Sequence, residues 1–148
     1  MISSLLSREI NTKTNILWIP SDDKGFEKFF KSLNVCLFNL DQIHLGSFIP
    51  DMIISNDKTK HIDKIIKLTK YHQCPLIMVD HEEKSDMIDM SKFKEKMQEL
   101  PIVKYVAVSE RIKQSWSDMH DCVLNDNSSK KEWQNFIDNT KKTIYKYE

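Results

Sequence analysis

Asp80, His81, Glu82 and Glu83 follow directly on the apolar run Leu76–Val79. A strand built on that run ends on an imidazole flanked by carboxylates, residue types that accept, donate and relay protons. His81 is therefore the candidate catalytic residue, able to orient or deprotonate a substrate hydroxyl. Four other polar segments follow apolar runs in the same way: Ser21-Asp22-Asp23-Lys24-Gly25, Asn39-Leu40-Asp41, Asn56-Asp57 and Ser109-Glu110. In an open parallel sheet, ligands gather beyond the carboxyl ends of the strands. On that rule Asp22, Asp23, Lys24, Asn56, Asp57, Asp80, Glu82 and Ser109 are candidate binding residues. Any one of these segments taken singly also reads as an ordinary polar loop or helix cap.

Several kinds of chemistry lack their residues. His81 and Glu83 supply the H-x-E half of a zinc-deaminase signature, but the P-C-x-x-C half is missing. His81-Glu82 does not extend to H-E-x-x-H, because Ser85 stands where the second histidine belongs. The first strand is followed by one glycine, Gly25, and not by G-x-G-x-x-G. Neither a phosphate-binding G-x-x-x-x-G-K-[ST] nor a G-x-S-x-G nucleophile elbow occurs. No cofactor and no metal is expected.

The elements that must position these residues alternate. Apolar runs at Asn15–Ile19, Val35–Phe38, Met52–Ser55, Leu76–Val79, Tyr105–Val108 and Cys122–Leu124 are mostly unbroken by polar residues. That is the pattern of strands covered on both faces. Amphipathic stretches lie between them. Lys24–Leu33 carries Phe26, Phe29, Phe30 and Leu33 on one face, and Lys60–His72 carries Ile62, Ile65, Ile66 and Thr69 opposite Lys60, Lys64 and Lys67. Ser91–Leu100 ends at Pro101, and Glu110–Met119 follows Ser109 as N-cap. Ser129 and Glu132 form a capping box for a last helix over about 129–147, striped by Trp133, Phe136, Ile137, Thr140, Ile144 and Tyr147. This alternation predicts right-handed βαβ units in a three-layer α/β/α sandwich, a Rossmann-like doubly wound parallel sheet of about six strands. Residues 1–13 form an N-terminal arm and 14–148 a single domain, with the last helix packed on the body. The stretch Asp41–Phe48 has no clear assignment.

Composition narrows the class. At 148 residues the chain fits one domain and can bury a core without metal or disulfide. Its 22 basic and 22 acidic residues balance, which argues against a nucleic-acid binder working by general attraction. The three cysteines, Cys36, Cys74 and Cys122, are widely spaced and form no C-x-x-C. Apolar runs reach only about five residues, too short for a membrane span, and without a long apolar stretch or cleavage-site pattern at the N-terminus no secretory leader is expected. A reducing, cytoplasmic setting is expected.

From about Asn15 to Asn125 the chain resembles the N-terminal, acceptor-side Rossmann-like domain of GT-B fold glycosyltransferases. Pro50-Asp51-Met52-Ile53-Ile54-Ser55-Asn56-Asp57 resembles the family's PDvIhsHd strand. Pro75–His81 resembles the next strand, which often ends in a histidine near the acceptor. Val106–Lys113 resembles viavSe.ik, and Cys122–Asn125 stands where the family reads vipNG. The family's Gly-rich loop after the first strand is replaced by Ser21–Gly25, and Asp126 stands where the glycine after Asn125 belongs.

The resemblance implies a glycan or glycosyl acceptor bound at the strand ends, with His81 acting on its hydroxyl and Asp22, Lys24 and Asn56 bonding it. The family's nucleotide-sugar half has no counterpart here. The chain is thus expected to be half of a split enzyme, completed by a partner chain, or a non-catalytic binding module. An alternative is a structural or interaction module, for instance a homodimer. A further alternative is a degenerate response-regulator receiver, with Asp22 and Asp23 at a cation and Asp57 as phosphoacceptor. That pattern lacks its lysine after the fifth strand, where Ser109 stands.

Overall fold

The computed structural model describes residues 13–22, 25–42, 49–85, 88–117, 119–124 and 130–145. They form a parallel sheet of six strands: β1 (Thr14–Ile19), β2 (Val35–Phe38), β3 (Met52–Ser55), β4 (Leu76–Asp80), β5 (Val103–Ala107) and β6 (Cys122–Val123). Among the described residues five helices accompany them: α1 (Phe26–Lys31), α2 (Ile62–His72), α3 (Met90–Met97), α4 (Glu110–Ser115) and α5 (Lys130–Tyr145). The architecture is the doubly wound, Rossmann-like α/β fold that the alternation of runs predicts.

Two cores follow from the two-residue period of a strand. Ile16 and Trp18 of β1, Met52 and Ile54 of β3, and Ile77 and Val79 of β4 face α1 and α5. Their neighbours Leu17, Ile19, Ile53, Leu76 and Met78 face α2 and α3. The register places like-facing residues side by side, with Ile16 beside Met52 and Trp18 beside Ile54. Helices fill the layers with the residues their periodicity selects: Phe26 and Phe30 from α1, Ile62, Ile65 and Ile66 from α2, Phe93 and Met97 from α3, and Trp133 and Ile137 from α5. Lys60, Lys64 and Lys67 are exposed, as the helical spacing requires.

Strand order is β2-β1-β3-β4-β5-β6. From β1 the chain builds to one side with β2, then crosses to the other side with β3. The carboxyl ends of β1 and β3 therefore diverge into a crevice, the place where doubly wound sheets hold ligands. After β6, α5 lies back over the β1 face. Trp133 meets Phe30 edge-on at 5.4 Å between ring centroids, and Gln134 Oε1 accepts the Asn34 amide at 2.8 Å.

Several boundaries differ from the sequence expectation: β5 starts at Val103 and not at Tyr105, and α3 ends at Met97 and not at Leu100. The helix expected to reach Met119 ends at Ser115, because Trp116 turns inward to donate its indole N–H to the Glu82 carbonyl and Ser117 takes a left-handed φ of 57°. The helix expected from Ser91 begins at Met90, because Asp89 caps it by accepting the Ser91 and Lys92 amides. The N-terminal arm through Thr12, the unassigned stretch from Ile43 to Phe48, and the Ser129 cap lie outside the described residues.

Candidate functional site

β1, β3 and β4 carry their chain ends to one rim. A cleft of about 330 Å³ opens there, lined by Ser21 and Asp22 after β1, by Asn56–Thr59 after β3, and by Asp80–Glu83 at the end of β4. Ser85, Ile88 and Trp116 close its far wall. Of the residues singled out in the sequence, Asp22, Asn56, Asp57, Asp80, His81 and Glu82 line this one space. Ser109 does not; its hydroxyl accepts the Ile112 amide at 3.2 Å and caps α4. Asn39 is spent on its own turn, accepting the Asp41 and Gln42 amides. Asp23 and Lys24 lie outside the described residues.

Asn56 latches the crevice. Its Oδ1 accepts the Ser21 amide at 2.8 Å, so its Nδ2 is the donor, reaching the Asp22 carbonyl at 2.6 Å. The same Nδ2 stands 3.4 Å from His81 Nδ1. A donor facing that side of the ring suits the tautomer in which Nδ1 accepts and Nε2 carries the proton. The imidazole is 13 % exposed and stands edge-on to Phe26, at 5.8 Å between centroids. Nε2 is buried and has no hydrogen-bond partner among the described residues. Glu82 Oε1 is 3.8 Å from it, beyond hydrogen-bond range.

Asp57 faces inward. Its carboxylate accepts the amides of Thr59, Lys60 and His61 at 2.9, 2.9 and 3.0 Å, and it contacts His61 Nδ1 at 2.6 Å. Burial pushes the Asp57 pKa up, but the Thr59 amide, the His61 ring and the neighbouring amides outweigh it, and the net shift is downward. The carboxylate is fully buried and closes the turn into α2. A phosphoryl group on Asp57, as the receiver alternative requires, would have to displace these bonds.

Beneath the cleft lies a charged cluster that no local motif marks. Asp80 gives one carboxylate oxygen to the Lys58 ammonium and the other to His120 Nε2, at 2.6 Å. The side chains of Lys58, Asp80 and His120 are 3 %, 6 % and 0 % exposed. Lys58 Nζ also sits over the Trp116 ring at 4.6 Å and the Phe93 ring at 5.4 Å, in cation–π range. Burial draws the Lys58 pKa below its ordinary value, while Asp80 and Asp57 hold it up. Lys58, Trp116 and His120 were not legible in the sequence. Lys58 sits in the polar run Asn-Asp-Lys-Thr-Lys, where nothing local separates it from the exposed Lys60.

The β4–α3 loop is tied to α4. Ser115 Oγ accepts the Lys84 amide at 3.1 Å, and the Arg111 side chain donates to Glu83 at 2.6 Å. The cleft wall is thus held from two sides. Among the described residues, no three His, Cys, Asp or Glu side chains converge as a metal site, and no helix is long and apolar enough to cross a membrane. Comparison of the chain with protein-family models, curated proteins and solved structures finds no match.

Proposed function

We propose that this chain is a glycosyltransferase-like acceptor-side domain whose strand-end cleft binds a glycan or another polyhydroxylated acceptor. Any transfer reaction would depend on a separate domain that holds the donor sugar. The observation that carries this reading is the His81 imidazole. It faces Asn56 on one nitrogen at the β1/β3 crevice and has no hydrogen-bond partner among the described residues on the other. In this tautomer Nε2 donates a hydrogen bond to a ligand oxygen, so the first role of His81 is to orient the acceptor. To deprotonate it, the ring would first have to lose its bond to Asn56 and change tautomer. Carboxylates around the ring suit the remaining hydroxyl hydrogens of a polyol.

The test is thermal unfolding of the purified chain against neutral mono- and oligosaccharides. A sugar at 100 times its Kd adds about 2.7 kcal/mol, which moves the Tm of a domain this size by roughly 8 °C. A His81→Ala variant should keep its own Tm within a few degrees and lose the sugar-dependent shift. A full shift in that variant removes His81 from the site. No response to any glycan would favour the interaction-module alternative, and light scattering on the eluting protein would then decide between monomer and dimer.

A further inference from the structure

The backbone amides at the turns into α2, α3 and α4 are already taken by the protein's own side chains, whereas the start of α1 makes no side-chain cap. Doubly wound folds hold phosphates with consecutive backbone N–H groups at the turns into their helices. Here the amides of Thr59, Lys60 and His61, which lead into α2, all donate to Asp57. Those of Ser91 and Lys92 at the start of α3 donate to Asp89, and that of Ile112 in α4 donates to Ser109. Among the described lining residues Lys58 is the one lysine or arginine, and its ammonium is buried against Asp80. Against it the lining carries five carboxylates: Asp22, Asp57, Asp80, Glu82 and Glu83. Asp80 is paired with Lys58 and Glu83 with Arg111, and the carboxylates left over favour a negative potential at the mouth of the cleft.

We infer that the cleft selects its ligand by charge, admitting neutral and above all ammonium-bearing polyols, such as amino sugars, and rejecting phosphorylated ones. This deepens the acceptor-binding reading and rests on it. His81 Nε2 supplies the directed donor to a ligand oxygen. Glu82, at the rim and 3.8 Å from that nitrogen, stands where a ligand ammonium would be met. A nucleotide or sugar phosphate would instead bring its charge against carboxylates, and the amides of Thr59, Lys60 and His61 are already taken by Asp57.

Calorimetric titration of the whole chain with glucosamine, glucose and glucose 6-phosphate tests this at low salt. The expected order is glucosamine first, glucose next and the phosphate last, with at least tenfold between the extremes. The rim variant Glu82→Lys, whose side chain is exposed and so leaves the core intact, should narrow or reverse that order. Glucose 6-phosphate binding as tightly as glucosamine, or an order unchanged in Glu82→Lys, overturns the inference while leaving glycan binding standing. Spermidine and inorganic phosphate, which carry no sugar, separate the two readings. Stabilisation by spermidine alone, with all sugars silent, keeps the charge selection and removes the glycan. Silence toward every probe overturns both.

Discussion

Asp80 and Lys58 form an ion pair from which water is excluded, at the foot of the cleft and at the carboxyl end of β4. The second oxygen of Asp80 is held by His120, so the carboxylate is bonded on both sides. Removing one member of such a pair leaves the other charge buried and uncompensated. Asp80→Asn should therefore cost about 3–5 kcal/mol, read as a fall in the urea midpoint at constant slope. The double variant Lys58→Met with Asp80→Asn should recover a large part of that loss, since it deletes both charges. A double variant as unstable as the sum of the two single ones would show that the pair is not coupled.

Asp57 sets an acid limit on stability. Its folded pKa lies below the ordinary 3.8, so the unfolded chain takes up the proton first as pH falls. Its contribution is fully present above the unfolded value and is lost as pH drops through the folded one. Asp57→Asn should cost about 2 kcal/mol at neutral pH, the worth of hydrogen bonds to a charged acceptor. Its urea midpoint should then fall less steeply than the parent's below about pH 4. Parallel curves for the two proteins across that range would refute the assignment.

Trp133 anchors α5 to α1 and is fully buried, yet its indole N–H has no partner among the described residues. Trp133→Ala should cost about 3–5 kcal/mol through the cavity it leaves. Trp133→Phe keeps the edge-on packing on Phe30 and removes the unsatisfied donor, so its cost should stay below about 1.5 kcal/mol. Guanidinium unfolding of both variants checks the contrast, and equal losses would mean that the indole nitrogen is bonded in solution.

The thiols of Cys74 and Cys122 should be slow to react. Burial pushes Cys74 up to about 12 and Cys122 to about 11, which keeps both protonated at pH 8. The thiolate is the nucleophile. Iodoacetamide at pH 8 should leave both unmodified in the native chain over a time that alkylates them fully in 6 M guanidinium. Rapid native modification of Cys74, read by mass spectrometry, would contradict its buried position.

The local sequence determined the elements and their faces. Unbroken apolar runs such as Leu76–Val79 could only be strands covered on both sides, and Ile62, Ile65, Ile66 and Thr69 fixed which side of α2 turns inward. Those signals are periodic, so one strand or one turn of helix is enough to read them. The convergence of Asp22, Asn56, Asp57, Asp80, His81 and Glu82 was also foreseeable, because strand ends of a parallel sheet meet on one rim.

Only the tertiary structure decided what each polar residue does there. Strand order placed β3 beside β1 and so allowed Asn56 to bridge Ser21, Asp22 and His81. Ser109 looks like a cleft residue in the sequence, but folding spends it on a backbone amide, and Asp57 lines the cleft while giving its carboxylate to the amides that lead into α2. Lys58 and His120 look like loop residues, but folding buries them on Asp80, 22 and 40 positions away. A buried charge is tolerated only where a partner is brought to it. That partner comes from a distant strand or loop, so the pairing is set by the packing of the whole chain and leaves no mark in the sequence around either residue.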